Sequence, residues 1–301
     1  MNIVLTGSLG NISKPLATDL VAKGHLVTVV SSKVERQKEI KAIGAKAAIG
    51  SVYDTAFLTK TFTGADIVYL MEPGDRNAFF DKNFDIHESI GMIVNCFKRA
   101  VGQSGVKKVV HLSSIGAHTN KGVGILAFHH IAENILQELP NDVSIKFMRP
   151  VGFYYNMFGF IPTIKAQNAI ISNYGGDEKE PWVSPLDIAV VIAEEIEKPF
   201  NGREIRYIAS DEASPNEVAK ILGEAIGKPD LKWLELSDEQ FTNGLLAVGM
   251  NPQTAKGFTE MNAGRRSGIL YQDYNINKPI LGKIKLKDFA QDFQVVFNQN
   301  E

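Results

Sequence analysis

Between residues 2 and 150 the chain alternates short apolar runs with helical segments, and this alternation limits its fold more than any other feature. The runs rich in β-formers are 2–5, 25–30, 46–49, 66–70, 108–112 and 144–148. The helical segments between them are 13–23, 35–43, 55–62, 84–102 and 126–139. Gly24, Gly44 and Gly64 stop the first three helices, as glycine does at a helix end. In the longest segment Ile86, Ile90, Ile93, Val94 and Phe97 share one face. The second run is continuously apolar toward its end, as in a parallel sheet covered on both sides. Strands separated by helices predict right-handed βαβ units wound on both faces of a parallel sheet.

The first turn carries the most chemistry. A strand ends in Val4-Leu5-Thr6, two glycines follow within Gly7-Ser8-Leu9-Gly10-Asn11-Ile12, and a helix opens at Ser13. Two glycines also fit an ordinary turn. At the head of a βα repeat, however, they predict a dinucleotide site. Gly7 is expected to allow the tight turn and Gly10 to admit a pyrophosphate. The free N–H groups of the helix start would then bind phosphate oxygens. The expected class is α/β, a Rossmann-type doubly wound parallel sheet with a smaller C-terminal α/β lobe. Cofactor choice is read after the second strand. No acid stands there to hold ribose hydroxyls; Ser31, Ser32 and Lys33 follow, then Glu35 and Arg36. Two hydroxyls and a cation suit a 2′-phosphate, so NADP(H) is expected, with NAD(H) open as the alternative.

After Arg149 the regularity breaks. Residues 153–160 are dense in aromatics and follow the carboxyl end of a strand, where open α/β sheets bind ligands. They fit a buried core or a pocket wall; the pocket reading assigns Phe153, Tyr154, Asn156 and Phe160 to a substrate. Ser214-Pro215-Asn216-Glu217 is a helix start with a serine cap and a glutamate three residues on. We expect a nucleotide-binding domain over 1–152, with later segments returning to it, and mainly a substrate lobe over 153–301. A net charge of −2 gives no global reason for nucleic acid or anionic membrane as partner. Cys96 is the only cysteine, which excludes an internal disulfide. With a strand starting at Asn2 and no apolar run long enough for a bilayer, a soluble cytoplasmic protein is expected.

Several stretches in order resemble the NmrA-like family of atypical short-chain dehydrogenase/reductases, including its quinone-oxidoreductase-like members. They are Thr6-Gly7-x-x-Gly10, Val109-Val110-His111-Leu112-Ser113-Ser114, His129-x-x-x-Glu133-x-x-Leu136, Met148-Arg149-Pro150-x-x-Phe153-x-x-Asn156 and Pro181-Trp182-Val183-Ser184-Pro185-Leu186-Asp187. Glu217-Val218-Ala219 and Lys287-Asp288-Phe289-Ala290 fit the family's C-terminal pattern. The resemblance implies an NADP-binding domain with a small substrate lobe. It places the cofactor against the first turn, the Ser31 to Lys33 loop, Met71, Glu72, Pro150, Gly152 and Phe153. The chain departs where the family has a third glycine, here Ser13. It also has Ser31 in place of an arginine after the second strand, and Ser51 in place of an acid after the third.

Ordinary members of the wider superfamily use Tyr-x-x-x-Lys as proton donor, and the 126–139 segment has none. His129 stands where some relatives have lysine, one helical turn before Glu133, which could orient or charge the imidazole. It is the candidate catalytic residue; the alternative is a histidine that packs at the cofactor's edge. Ser113 ends a strand near the expected nicotinamide and would bind the cofactor or only cap the strand. His129, His130 and Glu133 find no convincing further ligand, so no metal is expected. Two functions follow. One is an NADPH-dependent reductase of a quinone or small carbonyl compound, a small-molecule acceptor that asks little of the protein for protons. The other is a catalytically weak NADP(H) sensor acting through a protein partner. The sequence leaves the oligomeric state open.

Overall fold

The computed structural model describes residues 1–74 and 76–299; positions 300–301, the end of the expected lobe, lie outside them. The chain runs β1 (Asn2–Leu5), α1 (Ser13–Ala22), β2 (Leu26–Ser31), α2 (Arg36–Ala42), β3 (Lys46–Ile49), α3 (Thr55–Phe62), β4 (Ile67–Leu70), α4 (Ile86–Ser104), β5 (Lys108–Leu112), α5 (Ala127–Gln137) and β6 (Ser144–Pro150). It continues through β7 (Gly152–Phe153), α6 (Ile161–Gln167), β8 (Ala169–Ser172), β9 (Glu180–Val183), α7 (Pro185–Glu197) and β10 (Arg203–Ile208). The last elements are β11 (Asp211–Ala213), α8 (Pro215–Ala225), β12 (Lys232–Glu235), α9 (Asp238–Ala247), α10 (Pro252–Arg266), α11 (Gln272–Ile276) and α12 (Leu286–Gln299).

Seven parallel strands form the main sheet in the order β10-β6-β5-β4-β1-β2-β3. The order reverses at β1, where β4 lies on one side and β2 on the other, and such a switch point opens a crevice at the strands' carboxyl ends. Strand side chains alternate between faces. Ile3, Leu5, Ile67 and Tyr69 join the core under α1 and α7, while Val4, Val68 and Leu70 join the core under α3, α4 and α5. The strands are apolar throughout because both faces are covered.

A third core belongs to the C-terminal lobe. Trp182, Trp233, Phe289, Phe293 and Phe297 gather there between α8, α12 and two small sheets, β11-β9-β7 and β12-β8. The chain crosses between the lobes more than once. It leaves the main sheet after β6, returns for α7 and β10, leaves again, and returns at Leu270 and Tyr274. The main sheet therefore takes its edge strand from beyond residue 152.

Candidate functional site

At the exit of β1 the Thr6 hydroxyl accepts from the Met71 N–H at 2.8 Å and donates to the Met71 carbonyl at 3.0 Å, locking two strand ends together. A Cβ on Gly7 would overlap the Ser13 hydroxyl and come within 2.9 Å of the Met71 sulfur. Glycine is needed at Gly7 for close approach, not for an unusual turn. The left-handed residue is Ser8, at φ 50°. A Cβ on Gly10 would meet only the Gly7 carbonyl, at 3.5 Å. Leu9 and Ile12 bury their side chains in the main core, leaving only their backbones for a ligand.

Helix α1 starts with no side-chain cap. Gly10 N–H turns back to the Gly7 carbonyl and Lys14 N–H to the Gly10 carbonyl. Among the described residues no carbonyl takes the N–H groups of Asn11, Ile12 and Ser13. Unsatisfied amides at the positive end of a helix suit a pyrophosphate.

At the exit of β2, Ser31 is buried and its hydroxyl is used within the loop, accepting from Ser8 at 3.0 Å and from the Lys33 N–H at 3.2 Å. Arg36 is held by Glu39 at 2.7 Å. Ser32 and Lys33 stand exposed on the same loop.

The ends of β4, β5 and β6 bring together two buried charge networks. In the first, His111 of β5 meets the Glu72 carboxylate through Nε2 at 2.9 Å, both side chains buried. Burial would raise the Glu72 carboxyl, but the charge and hydrogen bond of His111, with His129 nearby, hold it below its ordinary value. The His129 ring of α5 lies 4.0 Å from the Phe128 ring, tilted by 37°. Its Nδ1 is buried without a partner. Burial pushes its imidazole down to about 3 against the pull of Glu72, with His111 and Arg149 adding to the depression. His129 is therefore neutral near pH 7.

The second network corrects the expected His129–Glu133 pair. Glu133 is engaged by other partners: Arg149 of β6 donates to it twice, at 2.9 and 2.6 Å, and the Ser113 hydroxyl donates at 2.5 Å. Arg149 reaches on to Asp273 of α11 at 2.8 Å and to the Tyr207 hydroxyl at 3.2 Å. Ser113 has thus spent its proton on Glu133 and can only accept from a ligand. Neither Arg149 nor His111 was picked as functional from the sequence. A charged residue inside an apolar strand was the available signal, since such a group must find a partner.

Beyond β6, Pro150 ends the strand and Gly152 pairs with Trp182 across β7 and β9. Phe153 packs partly against the main core and lies 5.2 Å from the Tyr155 ring. Asn156 is exposed. Two expected substrate residues go elsewhere. Tyr154 is buried in the lobe core, stacked on Phe289 at 5.2 Å. Phe160 packs edge-on to Trp233 at 5.3 Å. The short 3-10 turn over Tyr154–Phe160 sends successive rings to different sides, and sequence spacing alone did not resolve this.

A family model for NAD(P)H-binding proteins matches residues 7–199, more than half of the chain. The chain belongs to the NAD(P)H-binding family. The protein is similar in fold to a nucleoside-diphosphate-sugar epimerase from Staphylococcus aureus, with 19% identity over 97% of this chain and 100% of that one and a TM-score of 0.77. It is similar to the NADPH-dependent quinone oxidoreductase of Escherichia coli in complex with NADPH, with 19% identity over 96% and 99% and a TM-score of 0.76. It is also similar to the triphenylmethane reductase of a Citrobacter species in complex with NADP(H), with 19% identity over 97% and 99% and a TM-score of 0.72. No curated protein matches the chain. The uncapped start of α1 beside two glycines is what an NAD(P)H pyrophosphate requires, so the NAD(P)H-binding residues present fit the cofactor. No helix among the described residues is long and apolar enough to cross a membrane.

Proposed function

We propose that this protein is an NADPH-dependent reductase that passes hydride to a quinone or another small carbonyl compound. One observation carries the reading. The ionisable groups at the ends of β4, β5 and β6 are neutral or committed to buried partners: His129 is uncharged, Glu72 is held by His111, and Glu133 by Arg149 and Ser113. This arrangement leaves none of these groups free to act as a proton donor. A quinone suits it, because an electron-poor acceptor takes its protons from solvent. Bound NADPH supplies the hydride. The balance is quinone, NADPH and one proton in, hydroquinone and NADP+ out. The quinone oxidoreductase and the dye reductase of the same fold support this reading.

For the cofactor, the Asn11 to Ser13 amides would take the pyrophosphate. Ser32 and Lys33 would take the 2′-phosphate, with Ser31 shaping their loop. Arg36 is less suited, being held by Glu39. His129 would line the nicotinamide end as a neutral group and not as a general acid, and Phe153 and Asn156 remain the proposed contacts on the acceptor. The test is steady-state NADPH oxidation against quinones and simple aldehydes, run beside direct NADPH and NADH titrations. Turnover with quinones and tighter binding of NADPH than NADH is the expected result. Tight NADPH binding with no turnover on any acceptor would overturn it and favour the cofactor sensor.

A further inference from the structure

Helix α10 lies across the exits of three adjacent strands. Its fifteen residues span about 22 Å at 1.5 Å per residue. At its start the Asn251 N–H donates to the Phe79 carbonyl at 2.8 Å, and the Asn251 side chain donates to the Asp81 and Phe84 carbonyls, all on the segment after β4. Its middle packs at backbone distance on the segment after β5. Gly124 sits at φ 53°, and a Cβ there would overlap the Gly257 carbonyl and the Met261 nitrogen. At its end Arg265 lies over the Trp182 ring at 5.3 Å, with a guanidinium nitrogen 3.3 Å from where a Gly152 Cβ would stand, just beyond β6.

Helical spacing then sorts its faces. Gly257, Glu260 and Gly264 meet the 122–125 segment. Thr259 and Asn262 bond to Thr242, Asn173 and Ser172 in the lobe. Phe258, Met261 and Arg265 occupy the stripe between these two faces, and Arg265 brings the end of that stripe beside Gly152, just beyond β6. Phe79 meets Phe258 edge-on, with ring centroids 5.6 Å apart. Phe79, Phe258 and Met261 are all partly exposed and belong to none of the three buried cores. Large apolar side chains left partly exposed outside a core are suited to an apolar ligand.

We infer that Phe79, Phe258 and Met261 form the roof of the acceptor site and select flat aromatic acceptors, opposite the floor made by Phe153. This rests on the reductase reading and narrows its substrate class. The Arg265–Glu180 ion pair at 2.8 Å closes the far end of the stripe. Glu180 already neutralises this arginine, so the site does not call for an anionic acceptor.

The experiment uses the full chain with two probes: 1,4-naphthoquinone as acceptor with NADPH, and 1-naphthol, which cannot be reduced, titrated into the NADP+ complex. Phe258→Ala should raise the KM for naphthoquinone and the Kd for naphthol by about tenfold through lost ring contact and burial. NADPH affinity should stay within about twofold, since the cofactor amides are untouched. Phe258→Leu, which keeps the bulk but not the plane, serves if the alanine variant does not fold, and should give a smaller shift in the same direction. Naphthol binding weakened by the substitution without any naphthoquinone turnover would keep the roof and sink the reductase reading. Unchanged KM and Kd in folded Phe258→Leu and Phe79→Leu proteins would overturn the roof.

Discussion

The Ser13 hydroxyl occupies the place a side chain on Gly7 would need. The two positions are therefore coupled. Gly7→Ala should cost about 1–3 kcal/mol as overpacking, and Ser13→Gly in the same chain should recover most of it; additive losses by urea unfolding would refute the coupling. A Cβ on Gly10 makes only an ordinary contact with the Gly7 carbonyl, so Gly10→Val should keep its melting temperature and lose NADPH affinity. Unchanged NADPH titration in that variant would show that the pyrophosphate does not lie there. The sequence alone assigned Gly7 to a tight turn and could not show the Ser13 clash, because that depends on how the start of α1 packs back on the turn. His129 gives a pH prediction. Its folded value of about 3 lies below the ordinary 6.5, so the unfolded chain binds the extra proton between them. Its contribution to stability is complete above about pH 6.5 and shrinks as pH falls toward about 3. The melting temperature should fall over that window, with a shallower fall in His129→Gln; parallel curves would mean that His129 is not buried as a neutral group. The same variant should lose less than about tenfold in quinone turnover, where removal of a general acid costs about 10²–10⁴.

Elements joined by local rules were legible, and elements joined by distant partners were not. The α8 start is local: Ser214 accepts from the Glu217 N–H at 3.1 Å and Glu217 returns to the Ser214 N–H at 2.8 Å, as the spacing predicts. The strands β1, β3 and β5 likewise match their apolar runs residue for residue. The partner of Glu133 was not legible, because His129 stood one helical turn away in the sequence and Arg149 lies on another element. Helix α10 carried no readable signal either. Its glycines make sense only against Gly122 and Gly124, over a hundred residues earlier. The buried pair gives the prediction at this scale. Glu133→Ala leaves Arg149 with Asp273 and the Tyr207 hydroxyl and frees Ser113, so β5, α5 and β6 lose their common tie. The expected loss is about 3–5 kcal/mol in urea unfolding, as for one half of a buried ion pair removed. A loss below about 1 kcal/mol, the range of an exposed pair, would mean that water reaches this bridge.

For the molecule as a whole, the main sheet and its covering helices take elements from both sides of residue 152. Residues 1–152 alone would lack β10, the edge of the main sheet, and α7, whose Ile188, Ile192 and Ile196 cover one face of it. That fragment should show no cooperative thermal transition; a sharp one would mean the six-strand sheet is complete without them. The repeated crossing between lobes also bears on how acceptor preference can change in descendants of this protein, by selection or by engineering. The lobe that roofs the cleft is threaded through the sheet that holds the cofactor, so no single splice lifts out one and leaves the other. Exchanging whole lobes with another protein is barred. New acceptors must be reached by point substitutions along one face of α10, with the nucleotide half of the molecule carried along unchanged.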